Sequence, residues 1–95
     1  MNSSRVIDYG KESGILKVLG HPVRLKMVVE LSKGTGCNVN EIVANLGVPQ
    51  STVSQHLGIL KNQGIITSRK EGVKTCYSVV NRKVLKIISI LEENN

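Results

Sequence analysis

The segment 47–64 constrains the fold more than any other part of this sequence. Drawn as an α-helix, it places the aliphatic residues Val53, Leu57 and Leu60 on one side. A helix that enters the major groove of DNA needs short side chains with hydrogen-bonding groups on its other side. The opposite side here carries Ser51, Ser54, Gln55, Gly58 and Asn62, with no acidic or aliphatic residue, which fits that requirement. The plainer alternative is an ordinary core helix with a polar surface.

The residues before this segment predict a short helix followed by a tight turn. Asn38 can cap the free N–H groups of a helix start, and Glu41 can reach back to complete a capping box. Gly47 can adopt the left-handed conformation that ends the helix, and Pro49 begins the next one. Two helices joined by a short glycine-containing turn predict a helix-turn-helix.

Other signals predict the remaining elements. Residues 1–20 indicate a helix, interrupted near Ser13 and Gly14, and Pro22 begins a second helix that runs to about Lys33. After Gly64 the pattern changes to period two, which predicts strands over 65–70 and 73–79 around a turn at residues 71–72. The expected fold is mostly α with a small β-hairpin, a winged helix-turn-helix of order α-α-α-α-β-β-α. It occupies residues 1–95 as one domain.

The last predicted helix, capped by Asn81, has apolar residues on more than one side, so it needs a second surface to cover it. We expect homodimerisation through the terminal segments 1–20 and 81–95. The residues predicted at this interface are Val6, Ile7, Val84, Ile87, Ile88 and Leu91.

Charge is distributed unevenly along the chain. The net charge is +6, and between residues 42 and 91 Glu71 is the only acidic residue. Such a field attracts a polyanion. Double-stranded DNA is the first candidate partner, and an anionic membrane surface is the alternative. With Tyr9 and Tyr77 as its only aromatic residues, the chain lacks the stacking platforms of single-strand binders.

Several protein classes are disfavoured by what the sequence lacks. No apolar run reaches the roughly 20 residues of a membrane span, and the first residues do not form the apolar core of a signal peptide. We therefore expect a cytoplasmic protein without a membrane partner, in which Cys37 and Cys76 are reduced. No phosphate-binding glycine loop or catalytic triad pattern is present, so neither an enzyme nor a cofactor is expected.

A series of short motifs follows the predicted elements in order: Leu-Gly-His-Pro-Val-Arg-Leu at 19–25, Glu-Ile at 41–42, Leu-Gly-Val at 46–48, Ser-Thr-Val-Ser-Gln-His-Leu at 51–57, Gly-Ile-Ile at 64–66, Arg-Lys-Glu-Gly at 69–72 and Tyr-Ser at 77–78. Through these motifs, residues 14–91 resemble the ArsR/SmtB family of winged-helix repressors, with a narrower resemblance to its metal-blind, PagR-type members. The resemblance implies a dimeric repressor that occupies a pseudo-palindromic operator and releases it when an inducer binds.

The predicted DNA contacts fall into two groups. Ser51, Ser54 and Gln55 are expected to face base edges, with Thr52 and His56 on the flanks of the helix. For His56 the alternative is a packed, hydrogen-bonded position. Basic residues would hold the phosphate backbone without reading sequence. The full set is Gln50, Ser51, Thr52, Ser54, Gln55, His56, Lys61, Arg69, Lys70 and Lys74.

Metal sensing is not expected. Many members of the resembled family carry a Cys-Val-Cys motif where this chain has Asn38-Val39-Asn40, and amides are poor ligands for soft metals. Others bind zinc between paired terminal helices through His and carboxylate ligands, but residues 81–95 contain no His. Neither sensor site of the family is therefore predicted.

The regulatory signal stays open at this point. Cys37 and Cys76 could form a redox switch, with a pair of buried, inert cysteines as the commoner alternative. A small ligand could bind at the dimer interface, or occupancy could depend on protein concentration alone. A winged-helix module that binds an anionic protein is the alternative from a different functional class.

Overall fold

The computed structural model describes residues 6–93 of the 95-residue chain. Its elements follow the predicted order and form a winged helix-turn-helix. Among the described residues, no helix is long and apolar enough to cross a membrane. The elements are α1 (Tyr9–Leu19), α2 (Pro22–Lys33), α3 (Val39–Leu46), α4 (Gln50–Asn62), β1 (Ile66–Glu71), β2 (Lys74–Val79) and α5 (Arg82–Leu91).

Side-chain caps fix the start of most helices. The predicted capping box of α3 is confirmed: Asn38 Oδ1 accepts the N–H of Glu41 at 3.0 Å, and Glu41 Oε1 accepts the N–H of Asn38 at 3.2 Å. Asp8 caps α1, and Asn81 caps α5 as predicted. Gly47 ends α3 with a φ of 70°, a left-handed conformation that glycine adopts without steric strain. These local signals place the boundaries of the helix-turn-helix.

Gly14 does not interrupt the first helix, so that prediction was wrong. The helix α1 continues through Ser13 and Gly14. A Cβ atom built on Gly14 would lie 2.7 Å from Nε2 of Gln63, just beyond the end of α4. The amide of Gln63 therefore occupies the space beside Gly14, where α1 meets the end of α4.

The core is aliphatic, as a chain without Phe or Trp requires. Val53, Leu57 and Leu60 from the inner side of α4 are all buried, as the helical pattern predicted. They belong to one cluster to which α1, α2, α3, β1 and α5 also contribute. The largest fully buried side chains are Met27, Val28, Val53, Leu60, Ile65 and Val84.

Two of the predicted interface residues also lie in this core. Val84 and Ile88 are 0% and 2% exposed, packed within their own chain. They are thus unavailable to a partner, which corrects the prediction for these two positions. The physical reason is that α5 needs one apolar side to close its own domain before any other side can face a second copy.

The hairpin, called the wing below, consists of the antiparallel strands β1 and β2. Glu71 pairs with Lys74, so the turn lies at Gly72 and Val73, one residue later than predicted. At the base of the wing, the carbonyl of Ile65 accepts the N–H of Val80 at 3.0 Å and that of Asn81 at 3.4 Å. The residues that precede β1 and follow β2 are therefore held together at the base of the wing.

Candidate nucleic-acid interface

The outer face of α4 is a polar surface without charge. Gln50, Ser51, Ser54 and Gln55 are exposed, while Thr52 is half-buried. Because the aliphatic side of the helix is buried in the core, these side chains point to solvent. The helix thus offers donors and acceptors at a surface that a DNA groove could approach.

The wing follows α4 in the chain and carries cations. Arg69, Lys70 and Lys74 are all exposed. The Arg69 guanidinium donates to the Glu71 carboxylate through Nη2 at 2.6 Å and Nε at 3.1 Å. Ion pairs this exposed contribute little to stability, so the guanidinium can exchange Glu71 for a phosphate group at small cost.

Lys61 connects α4 to the wing. Its ammonium Nζ donates to Oγ of Ser68 in β1, at 2.8 Å. An ammonium group has three donors, so two remain for a phosphate. The predicted phosphate contacts Lys61, Arg69, Lys70 and Lys74 therefore all lie at or next to the wing.

His56 lies inside the domain rather than on the outer face of α4. Its side chain is only 8% exposed, and its ring lies 4.8 Å from that of His21, measured between centroids. Arg24 Nη1 lies 3.4 Å from His56 Nδ1, and the same guanidinium donates through Nε to the carbonyl of Val18 at 2.8 Å. The structure removes His56 from the set of surface contacts and supports the packed alternative.

The protonation state of His56 follows from this environment. Burial lowers its pKa, and electrostatic interaction with His21 and Arg24 lowers it further. The ring is therefore neutral at pH 7, with Nδ1 facing the guanidinium as acceptor and the proton on Nε2. His21 has a separate role, because its Nδ1 accepts the N–H of Val23 at 3.1 Å and caps α2.

Cys37 and Cys76 are joined by a disulfide, with their Cα atoms 4.7 Å apart. The expectation of two reduced cysteines is therefore wrong for this structure, and both residues are half-buried rather than part of the core. A separation of 39 positions carries no local signal of such a contact. A carboxylate oxygen of Glu71 and the two sulfurs lie within 4.8 Å of one another. Soft metals bind the thiolate form of cysteine, and the two sulfurs of a disulfide are not thiolates.

The terminal helices present an apolar surface at a different side of the domain. Val6, Ile7, Tyr9 and Leu16 are exposed and line an open groove of about 680 Å³. Within α5, the predicted interface residue Leu91 is exposed and Ile87 is half-buried. Lys83 Nζ lies 2.6 Å from Oε2 of Glu12 and links α5 to α1 beside this groove.

A sequence profile of the family described as "Bacterial regulatory protein, arsR family" matches residues 21–68. The match runs from the start of α2 into β1 and includes the whole helix-turn-helix. The chain belongs to the arsR family.

Relatives extend the similarity over most of the chain. An HTH-type transcriptional regulator of Methanocaldococcus jannaschii is 39% identical over 85 residues, which cover 90% of this chain and 96% of that protein. The transcriptional repressor PagR of Bacillus anthracis is 41% identical over 80 residues, covering 84% and 80% respectively. The predicted resemblance to the ArsR/SmtB family and to PagR-like members is thus confirmed.

Solved structures confirm the fold of this ArsR-family regulator. The crystal structure of PagR superposes with a TM-score of 0.80 at 40% identity and covers 87% of this chain and 94% of the other. HlyU of Vibrio cholerae superposes with a TM-score of 0.83 at 28% identity, with 92% and 94% covered. The regulator therefore has the winged helix-turn-helix that these proteins share.

In this ArsR-family regulator, the polar side chains at the start of α3 accept hydrogen bonds from backbone N–H groups. Asn38 caps α3, and Glu41 accepts two backbone N–H groups, from Cys37 at 2.9 Å and Asn38 at 3.2 Å. These bonds lower the pKa of the Glu41 carboxyl, the bond from Cys37 having the larger effect. The side chains of Asn38 and Glu41 are thus engaged in helix capping.

Proposed function

We propose that this ArsR-family regulator is a homodimeric repressor that recognises a pseudo-palindromic operator in double-stranded DNA. The observation that carries the proposal is the exposed, uncharged outer face of α4, together with a basic wing that is linked to the end of the same helix through Lys61 and Ser68. The name of its relative PagR, a transcriptional repressor, supports the direction of regulation.

In this proposal, α4 reads bases and the wing holds phosphates. Gln55 is suited to bidentate hydrogen bonding with adenine, whereas Ser51 and Ser54 can contact several bases. Gln50 and Thr52 flank these three positions. Contacts to phosphate position a protein on the duplex without reading sequence. That role is assigned to Lys61, Arg69, Lys70 and Lys74.

A second copy of the chain is the proposed occupant of the groove beside α1. The groove is lined mainly by exposed apolar side chains, which a homodimer would remove from water. The exposed residues Leu85, Ile90 and Leu91 of α5 add to the apolar surface of the terminal helices. A two-fold axis would present two α4 helices to half-sites one DNA turn apart, about 34–36 Å.

The proposed regulator does not use the metal sites of its family. Asn38 and Asn40 replace the thiolates of the resembled Cys-Val-Cys motif, and Asn38 is already engaged in capping. Within the described part of α5, no histidine is present to hold zinc between terminal helices.

Selection of genomic DNA fragments by the purified protein tests recognition of an operator. The selected duplex should bind at least about a thousandfold more tightly than random duplex at physiological salt. Equal affinity for both duplexes at about 0.15 M salt would contradict sequence-specific binding and favour a module for another anionic partner.

Sedimentation equilibrium tests the dimer. Leu16 lies in the groove and is 57% exposed, so Leu16→Glu should leave the core intact and place a charge in the apolar interface. The variant should sediment as a 10.3 kDa monomer with an unchanged circular dichroism spectrum, and the parent chain as a dimer. Ser32→Glu adds the same charge at an exposed position of α2 and should stay dimeric. A monomeric parent protein at micromolar concentration would refute the proposed assembly.

A further inference from the structure

The disulfide closes a covalent ring around the elements proposed to contact DNA. It joins Cys37, in the loop between α2 and α3, to Cys76 in β2. The segment between them contains α3, the turn, α4 and β1. The helices α1, α2 and α5 lie outside the ring. The bond therefore constrains the DNA-contacting part of the chain and not the terminal helices.

Cys37 connects α3 to the wing even without its sulfur. Its N–H donates to Glu41 Oε1 at 2.9 Å, which ties the loop to the first turn of α3. Its carbonyl accepts the N–H of Tyr77 at 2.9 Å, which ties the same residue to β2. The disulfide adds a covalent link at a point where two backbone hydrogen bonds already meet.

Cys76 lies within the strand that carries part of the phosphate-binding charge. It pairs across the hairpin with Arg69 and follows Lys74 by two residues. A bond from Cys76 to the loop before α3 therefore fixes the position of the wing cations relative to the helix-turn-helix. Without that bond, the hydrogen bond between Tyr77 and Cys37 is the remaining polar link between this loop and β2 among the described residues.

Both cysteines are placed where an oxidant can reach them. Each is half-buried, and neither belongs to the aliphatic core. The carboxylate of Glu71 lies near both sulfurs, but the guanidinium of Arg69, opposite Cys76 in the hairpin, pairs with it, and the ammonium of Lys74 leaves this strand pair with a net positive charge. Positive charge near a thiol favours its thiolate, which is the reactive form.

We propose that Cys37 and Cys76 are a reversible dithiol–disulfide pair, and that their oxidation by a hydroperoxide fixes the wing against α3 and strengthens operator binding. The inference rests on the proposed DNA-binding function and assigns it a regulatory signal. Reduction of the pair by a dithiol would remove the covalent link, leave the wing held by backbone hydrogen bonds and packing, and weaken the binding of the repressor to DNA.

The chemistry of the pair balances with these reactants alone. One thiolate attacks the peroxide oxygen, the O–O bond breaks, and a sulfenic acid and an alcohol are formed after proton transfer. The second thiolate attacks the sulfenic sulfur, the S–O bond breaks, and water leaves as the disulfide forms. In total, two thiols and one hydroperoxide give one disulfide, one alcohol and one water. A dithiol reductant reverses the step by exchange and becomes a disulfide itself.

The direction of the effect follows from preorganisation. DNA contacts by α4 and by the wing require a fixed arrangement of the two parts. A partner that is already held in its bound arrangement loses less conformational entropy on binding. We therefore expect the disulfide form to bind about three- to tenfold more tightly than the dithiol form.

The test compares the two redox forms of one protein on one duplex. The probe is a fluorescent duplex selected from a random-sequence library by the Cys37→Ser/Cys76→Ser variant, so the selection is independent of redox state. The unmodified chain is treated with hydrogen peroxide or with a dithiol, and mass spectrometry confirms the difference of two hydrogens. Its affinity is then measured by anisotropy. The double variant is the control, and peroxide should leave its affinity unchanged.

Each outcome bears on a different claim. Tighter binding of the oxidised chain, reversed by dithiol and lost in the double variant, supports the inference. Equal affinity of the two verified forms, or weaker binding by the disulfide form, overturns it and leaves the DNA-binding function standing. Failure of the library to yield any preferred duplex counts against the proposed function itself.

Discussion

The outer face of α4 and the wing are both exposed and belong to elements that Lys61 and Ser68 link, yet their chemistry differs. The outer face carries amides and hydroxyls, with Gln55 and Ser54 at its centre, and no charged side chain between residues 50 and 60. The wing carries Arg69, Lys70 and Lys74. Solubility would be served by charge in both places, so the difference indicates two kinds of contact.

This difference matches the two parts of protein–DNA binding. Hydrogen bonds to base edges distinguish sequences, while charge contacts to phosphates supply affinity that depends on salt and not on sequence. A uniformly basic surface would bind any duplex tightly and discriminate poorly. In the proposed repressor, specificity therefore belongs to α4 and most of the salt dependence to the wing.

The largest effect is expected from a charge placed on the outer face. Ser54→Glu should cost several kcal/mol of operator binding, because the carboxylate enters a groove bordered by phosphates. This corresponds to a loss of about a hundredfold or more in affinity. A titration of the operator duplex by anisotropy measures it. Ser32→Glu, with the same charge change on α2, should bind nearly as the parent does. Unchanged affinity in Ser54→Glu would place α4 away from DNA.

Loss of one reading side chain should have a smaller and more selective effect. Gln55→Ala should remove about 1–3 kcal/mol of discrimination at one base pair. Binding to a panel of operators with single substitutions measures this, and the loss should be confined to one position in each half-site. A uniform loss across the panel would mean that Gln55 contacts phosphate.

Loss of one wing cation should show the opposite pattern. Lys70→Ala should weaken binding to all duplexes similarly and reduce the slope of log affinity against log salt by about one. Affinities measured between about 50 and 200 mM salt give the slope. A change of sequence preference in this variant would contradict the division between the two regions.

The smallest effect is expected on stability, from a change of pH that protonates the buried His56 of α4. Because burial lowers the pKa of His56 in the folded chain, the unfolded chain binds protons more readily below its ordinary pKa of about 6.5. The free energy of unfolding should therefore decrease as the pH falls from about 7 through this value. Thermal unfolding at several pH values measures the decrease, and an NMR titration of the ring assigns it. A pKa of His56 at or above the ordinary value would exclude this contribution.

Elements with local signals were predicted well from the sequence. The capping box of Asn38 and Glu41, the glycine that ends α3 and the proline that starts α2 each act through neighbouring residues. Their physical causes lie within four positions along the chain. The helix-turn-helix could therefore be placed before any tertiary structure was known.

Features that depend on tertiary packing were predicted poorly. The apolar residues of α5 could not show which side closes the domain, so Val84 and Ile88 were assigned to an interface. His56 had a usable signal, because it follows Val53 by three positions and precedes Leu60 by four, which places it on the buried stripe. The contact between Cys37 and Cys76 had no signal in the sequence, because it depends on how the wing packs against the loop before α3.

The backbone hydrogen bonds at the base of the wing have a practical consequence for engineering. Both N–H groups that return the chain from β2, those of Val80 and Asn81, bond to the carbonyl of Ile65, so the hairpin is closed at its base. Its tip at Gly72 and Val73 can therefore be lengthened, shortened or exchanged without rerouting α5. Turns of different length or charge in place of residues 72 and 73 would leave Ser68, Cys76 and Tyr77 in place and give a set of regulators with one reading helix and graded affinity for the duplex.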